Sequence, residues 1–115
     1  MEFTLYKLEI FVPESHFEAV RQALSDADAG HIGRYDQCLS VSRATGFWRP
    51  LEGAHPYQGR AGELCCAEEL KVEVCCRAER LEETLLLVKK AHPYEEPVIN
   101  VLPLCSTSLQ ILHTS

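Results

Sequence analysis

The sequence predicts an α+β domain, a ferredoxin-like sandwich in which two helices cover one face of a four-stranded antiparallel sheet. Two segments space their apolar residues as helices do, four others are extended, and their order along the chain is βαββαβ. With right-handed crossovers, this order gives a single sheet with both helices on the same side. Because this fold carries many unrelated activities, it implies no chemistry by itself.

The first strand is predicted from alternation of apolar and polar residues between Tyr6 and Val12, and Pro13 ends it. Ser15 and Glu18 then have the spacing of a capping box, in which each side chain bonds to a backbone amide at the start of a helix. Apolar residues follow at helical spacing, and Gly30 is the predicted left-handed cap that closes the first helix.

The second strand is predicted from Leu39 to Trp48 and the third from Leu70 to Cys76. The connection between them, residues 50–62, is rich in Gly and Pro, which is typical of a long loop or the irregular tip of a β-ribbon. Long loops in compact domains are often functional. This loop is therefore a candidate binding segment.

The second helix is predicted from Leu81 to Ala91, with acidic residues at its start and lysines at its end, as the helix dipole favours. Pro93 stops it, and the fourth strand runs from Val98 to Leu104. We therefore expect a single domain over residues 1–104, followed by a tail over residues 105–115.

Composition and charge exclude several functional classes. A chain of 115 residues with 46% hydrophobic residues suffices for one core, and a net charge of -6 without a basic run offers no surface for nucleic acid. No apolar segment approaches membrane-spanning length, and charges interrupt the amino terminus where a signal peptide needs an apolar run. We expect a cytoplasmic protein with no nucleic-acid or membrane partner.

Six cysteines raise the question of disulfides or a metal site. Four of them form the adjacent pairs Cys65-Cys66 and Cys75-Cys76. Neighbouring residues on a strand point to opposite faces, so neither pair presents both sulfurs to one zinc ion. The spacing favours reduced thiols that pack as small apolar side chains.

Three motifs carry a resemblance to a known family. They are the H-P-Y-E-E-P segment at residues 92–97, the Gly-rich pattern from Gly30 to Cys38, and the Gly- and Pro-rich pattern from Phe47 to Glu63 that leads into a Glu-rich strand. Together they resemble the PII-like domain of Nif-three-like proteins, and the first also resembles CutA-type divalent-ion-tolerance proteins. The similarity extends from Tyr6 to Leu104.

The resemblance implies a stand-alone PII/CutA-like domain. In full-length Nif-three-like proteins this domain is inserted between two halves that hold a dinuclear metal centre. Since the family's metal ligands lie in those halves, the resemblance implies no hydrolase or cyclohydrolase activity here and no catalytic residue. At Asn100 the sequence departs from the family's usual aspartate.

The segment from His92 to Glu96 has a structural and a functional interpretation. It can simply end a helix, pack Tyr94 and start a strand. Alternatively its imidazole and two carboxylates suit a polar ligand or a divalent cation. We expect no bound metal; if one binds, the suspected ligands are His92, Glu95 and Glu96.

Two further candidates are His31 and Arg49. His31 lies between two glycines, where loop amides can hold an anion, although a plain turn explains the same pattern. Arg49 suits a carboxylate or phosphate, although surface arginines are ordinarily just solvated.

Three hypotheses of function follow. The first is a non-enzymatic, oligomeric PII-like module that binds a small ligand such as a nucleotide. The second is a CutA-like protein that binds divalent metal ions, and the third is an enzyme with a site between subunits. By resemblance, we expect a homo-oligomer, a trimer before a dimer. Its ligand site would combine Arg49, the loop residues Gly59, Gly62 and Glu63, and the segment from His92 to Glu96 of a neighbour.

Overall fold

The computed structural model describes residues 2–111, so residues 112–115 of the expected tail lie outside it. The elements are β1 (Leu5–Val12), α1 (Phe17–Asp26), β2 (Ser40–Trp48), β3 (Cys65–Arg77), α2 (Leu81–Ala91), β4 (Ile99–Pro103) and α3 (Ser108–Ile111). A single 3-10 turn precedes each of the two long helices. Up to β4, the order is the predicted βαββαβ.

The four strands form one antiparallel sheet in the order β2-β3-β1-β4, which confirms the predicted fold class. The pairing of β1 with β3 ends at Val12 and Leu70, whereas β2 and β3 remain paired as far as Trp48 and Cys65. Residues 44–48 and 65–69 therefore project beyond β1. We call this projection the hairpin arm.

The core lies between one face of the sheet and the two helices. Its residues alternate along β1 and β3 and recur at helical spacing in α1 and α2, so each element buries one face. The fully buried side chains of this core include Leu8, Ile10, Val12, Val20, Leu24, Val72 and Val88.

The predicted capping box is wrong. Ser15 lies inside the 3-10 turn Glu14–His16, and its hydroxyl bonds to the ring of His16 rather than to a backbone amide. The helix α1 begins two residues later, at Phe17, without a side-chain cap. The extra turn takes Ser15 out of the position that the motif requires.

The predicted role of Gly30 as the helix cap is also wrong. Asp28 adopts the left-handed conformation (φ 60°), and the amide of Ala29 donates to the carbonyl of Leu24 at 2.9 Å, which is a Schellman motif. Gly30 is required for another reason. Its amide donates to Cys75, and a Cβ on Gly30 would lie 2.4 Å from the carbonyl oxygen of Cys38.

All six cysteines are free, and the adjacent pairs differ in exposure as alternation on a strand requires. Cys76 is buried in the core while Cys75 lies on the opposite, open face of the sheet. Within residues 2–111, the structure has no helix with the length and apolar character needed to cross a membrane.

Candidate ligand groove

A groove of about 730 Å³ opens beyond the carboxyl end of β1. The hairpin arm, the loop at residues 49–58 and the segment at residues 92–98 form its walls. The lining residues that carry aromatic rings or charges are Phe11, Phe47, Trp48, Arg49, Glu52, Tyr57, Glu69, Tyr94, Glu95 and Glu96.

His92 anchors the last of these walls. It is 6% exposed, its Nε2 donates to the carbonyl of Phe11 at 2.6 Å, and its Nδ1 accepts from the amide of Tyr94 at 3.2 Å. These partners require the neutral imidazole. Burial also favours the neutral ring. It lowers the pKa of His92, although the hydrogen bond to the Phe11 carbonyl acts in the opposite direction. His92 therefore positions the segment, and neither ring nitrogen is free for a ligand.

At the floor of the groove, half-buried Tyr94 pairs with the buried carboxylate of Glu69. The Tyr94 hydroxyl donates to Oε2 of Glu69 at 2.8 Å. Burial, and then the hydrogen bond with Glu69, raise the pKa of Tyr94 well above its usual value. Tyr94 therefore stays a neutral hydrogen-bond donor, and it fixes the direction of the Glu69 carboxylate.

Gly46 makes room for that carboxylate. It lies within β2, opposite Ala67 and beside the Ala44–Glu69 pair. A Cβ on Gly46 would lie 2.2 Å from Oε1 of Glu69. A glycine inside a strand often marks such a close approach, and here it lets Glu69 lie flat against the backbone of the arm.

Three aromatic rings meet at the groove. The ring centre of Tyr94 is 6.2 Å from that of Trp48 and 5.9 Å from that of Tyr57. The indole nitrogen of Trp48 donates to the carbonyl of Gln58 at 3.1 Å, which ties the loop back onto the arm. These spacings are typical of favourable aromatic pairs, so the rings support one another.

The predicted loop residues Gly59, Gly62 and Glu63 hold the loop in place without lining the groove. A Cβ on Gly59 would lie 2.5 Å from the sulfur of Cys65, so only glycine fits against the arm there. The amide of Gly62 donates to Pro50, and the carbonyl of Glu63 accepts from the Cys65 thiol. None of Gly59, Gly62 and Glu63 is among the lining residues.

Arg49, Glu95 and Glu96 lie at the rim, and all three are exposed. Oε1 of Glu95 accepts from the amide of His55 at 3.0 Å. Arg49 makes no hydrogen bond or ion pair with any residue from 2 to 111. The structure thus brings Arg49 together with Tyr94, Glu95 and Glu96 of the same chain, whereas the prediction from sequence takes that segment from a neighbour. A contribution from a neighbour remains a prediction.

His31 is not part of the groove. Its Nδ1 donates to Asp28 at 2.9 Å and its Nε2 to the carbonyl of Gly33 at 3.0 Å. Gly30, next to it, bonds to Cys75, whose partner in β1 is Lys7. On β1 the groove is lined by Phe11, four strand residues or roughly 13 Å farther along the sheet.

In the part of the chain from residue 2 to residue 111, no three His, Cys, Asp or Glu residues gather as a metal site would require. His92 has both ring nitrogens occupied, and Glu95 already accepts from a backbone amide. The suspected metal ligands therefore do not converge in a single chain.

Sequence reasoning missed Glu69 and Tyr57 as groove residues. Glu69 belongs to a strand of alternating charges, and nothing in that pattern separates it from Glu68 or Glu73. The signal that existed was Gly46, a glycine inside a predicted strand, which indicates a close contact on the neighbouring strand.

Comparisons with known proteins agree on the fold. No family model matches the chain. A protein of Halalkalibacterium halodurans named "GTP cyclohydrolase 1 type 2 homolog" is 43% identical over 103 residues, which are 90% of this chain and 28% of that protein. The chain spans about a quarter of the length of the curated relatives that it matches.

Two solved structures show the same architecture. A protein of Bacillus cereus related to NIF3 has 38% identity and a TM-score of 0.79, over 90% of this chain and 26% of that one. The periplasmic divalent cation tolerance protein CutA of Archaeoglobus fulgidus has 20% identity and a TM-score of 0.69, over 95% of this chain and 92% of that one. The second likeness concerns the fold alone.

Proposed function

We propose that this chain, which is a NIF3-like and CutA-related small domain, acts as a PII-like module that binds a small ligand and has no catalytic centre of its own. The observation that carries the proposal is the groove beyond β1. Its size and its combination of aromatic walls with a few converging polar groups are typical of small-molecule sites.

The charges of the groove suit a ligand with two different ends. Arg49 is exposed at the rim and has no partner in the part of the chain that the structure describes, so it offers a planar fork for a phosphate or carboxylate. Glu69, Glu95 and Glu96 favour hydrogen-bond donors, a cationic group or a bridging divalent cation on the same ligand. A nucleotide, alone or with magnesium, meets these requirements.

We assign no catalytic residue. The described residues that line the groove include no serine, threonine, cysteine, lysine or histidine, and His92 is committed to backbone partners on both sides. The cyclohydrolase name belongs to relatives of which this chain covers about a quarter, so it supports no such activity here. An enzyme with a site between subunits has no observation in its favour.

A CutA-like role in binding divalent metal ions is the second hypothesis. It has weaker support, because the suspected ligands do not converge within the chain. Elemental analysis of the purified protein tests it. We expect no stoichiometric zinc or iron, and one tightly held metal per chain would overturn that expectation.

We also propose that the module self-associates, as a trimer in preference to a dimer. Strands β2 and β4 are the two edges of the sheet, and each lacks a neighbour on one side among residues 2–111. The arm and its loop expose large apolar side chains, with Phe47 at 68% and Leu64 at 74%. Exposed apolar patches and free edges favour association. A 13.0 kDa monomer in light scattering at tens of micromolar would reject this proposal.

The binding proposal is tested by titrating nucleotides, with and without magnesium, while following the emission of Trp48, the single tryptophan. Calorimetry gives the affinity independently. Arg49→Ala should weaken binding by about tenfold, the loss expected for one charge-assisted contact. Arg34→Ala, which removes an exposed arginine at the opposite end of the sheet, should leave it unchanged. Equal affinity of Arg49→Ala and the parent, with constant Trp48 emission, would place the site elsewhere.

A further inference from the structure

Glu69 differs from the other acidic residues of the sheet. It is 7% exposed, yet it lines the groove. On the same face of β3, Glu73 pairs with Lys7 at 2.5 Å, and on β1 Glu9 lies 3.6 Å from Lys71. Glu69 has no cationic partner among residues 2–111. Its single hydrogen bond, from the Tyr94 hydroxyl, goes to Oε2.

The second oxygen of Glu69 therefore lacks a donor. Oε1 lies against the backbone of Gly46, and no donor of the described residues reaches it. Oε1 keeps some contact with solvent, because no fully buried side-chain oxygen or nitrogen among the described residues lacks a hydrogen-bond partner. An ionised carboxylate accepts several hydrogen bonds, so Oε1 is free to accept donors from a ligand. The groove is the direction from which such donors can arrive.

Beside Glu69 the groove offers ring faces, and two of the side-chain donors there are already in use. The Trp48 indole N–H is used by Gln58 and the Tyr94 hydroxyl by Glu69. What remains near the floor is the surface of the Trp48, Tyr57 and Tyr94 rings, which favours flat or cationic groups. A ligand group that fits here is planar and carries its own N–H donors.

We propose that Glu69 is the specificity-determining residue of the groove, and that it binds a flat group with two adjacent N–H donors. A guanine-type ring and a guanidinium ion share this chemistry, since each presents two parallel N–H groups to one carboxylate. An adenine ring does not, because its corresponding edge places an acceptor nitrogen beside the amino group. This inference rests on the proposed function and names the ligand class of the same groove.

Arg49 is suited to bind the other, anionic end of the ligand. It lies at the rim, whereas Glu69 lies at the floor. A guanosine monophosphate would place its base at Glu69 and direct its phosphate toward Arg49, and free arginine would place its guanidinium at Glu69 and direct its carboxylate toward the same rim. Guanosine monophosphate and arginine both present two adjacent N–H groups to Glu69, and they differ in the atoms that join these groups to the anionic end. Measuring the affinity of each ligand separately therefore distinguishes them.

The experiment measures the affinities of guanosine monophosphate, adenosine monophosphate and arginine by calorimetry. It uses the parent, Glu69→Gln and Glu73→Gln. The amide oxygen of Glu69→Gln can still accept from Tyr94, so that variant keeps the shape of the floor. Glu73→Gln is the matched control, since it lies on the same face of β3 outside the groove. Melting temperatures check that both variants fold.

We expect the parent to bind guanosine monophosphate or arginine at least about tenfold more tightly than adenosine monophosphate, the discrimination typical of a bidentate contact. Whichever of the two binds identifies the source. Glu69→Gln should lose this preference by about tenfold or more, and Glu73→Gln should keep it. Equal affinities for guanosine and adenosine monophosphate without arginine binding, or an unchanged preference in Glu69→Gln, would overturn the inference.

The outcomes also separate this inference from the proposed function. If nucleotides bind with a dependence on Arg49 but without a base preference, the groove remains a ligand site and Glu69 does not select its ligand. If none of the three probes binds at millimolar concentration, this inference is wrong. The wider nucleotide and magnesium titration then decides the proposed function alone.

Discussion

The helix-covered part of the sheet and the hairpin arm are held together by different forces. Under α1 and α2, apolar side chains such as Ile10 and Val72 are fully buried. Around the arm, single hydrogen bonds join segments that are far apart in the chain, from His92 to Phe11, from Tyr94 to Glu69 and from His55 to Glu95. The helix-covered part supplies most of the stability. The hydrogen bonds around the arm fix the shape of the groove, although little apolar surface is buried there.

The largest effect that separates the two parts should come from truncating an apolar side chain in each. Ile10→Ala leaves a cavity in the core and should lower the free energy of unfolding by about 2–5 kcal/mol. Leu64→Ala removes a 74% exposed side chain at the arm and should change it by less than about 0.5 kcal/mol in a monomer. Denaturant unfolding measures both. A large loss at Leu64 would show that the arm is buried, for example against another subunit.

An intermediate effect is expected where the arm is tightly packed. Gly46→Ala forces the Glu69 carboxylate away from its place beside Tyr94 and should cost about 1–3 kcal/mol, because the hydrogen bond from the Tyr94 hydroxyl is lost at a poorly exposed carboxylate. Thr45→Ala, at the next residue and on the opposite face, should cost less than about 1 kcal/mol. Urea unfolding compares the two variants. If Gly46→Ala were as stable as the parent, Glu69 would not be held where the structure places it.

The smallest effects should appear in the pH dependence of stability, with opposite signs at the two ends of the sheet. Burial lowers the pKa of His92 below its usual 6.5, so the unfolded chain takes up the proton first. Stability therefore falls as the pH drops from about 7 through the folded pKa of His92. The Asp28 carboxylate, and then the Gly33 carbonyl, raise the pKa of His31, so its contribution is present below pH 6.5 and disappears as the pH rises through its folded pKa.

Unfolding measured between about pH 5 and pH 8 tests these signs. His92→Gln should reduce the loss of stability on acidification relative to the parent at each pH. His31→Gln should steepen that loss, because the opposing contribution is gone. Identical pH profiles in the parent and both variants would contradict the assigned protonation states.

The covered part of the sheet could be predicted from sequence because its signals are local. Alternation from Tyr6 to Val12 and the spacing of Leu81, Leu85 and Val88 each indicate an element and its buried face. The element order then leaves few topologies. Errors occurred where a local signal had two uses, as with Ser15, which enters a 3-10 turn, and Gly30, which serves a close backbone approach instead of a cap.

The groove could be predicted only in part. Arg49 and the segment around Tyr94 were proposed as site residues, and the structure places them on one groove. Strand β3 begins at Cys65, five residues before the predicted start, because its first residues pair with β2 alone. That extension brings Glu69 to the floor. No local pattern in the sequence indicates the position of Glu69, because its contacts with Gly46 and Tyr94 join three separate segments of the chain.

The most direct test of the account is a titration of the nitrogen-15-labelled protein with guanosine monophosphate, followed by NMR. We expect the shifts to concentrate on the amides of Gly46, His55 and Tyr94 and on the indole N–H of Trp48. The amides of His31 and Gly33, at the opposite end of the sheet, should not move. Shifts centred on His31 and Gly33, or no shift at the groove when calorimetry shows the titrated ligand to be bound, would contradict the claim that the groove is the ligand site.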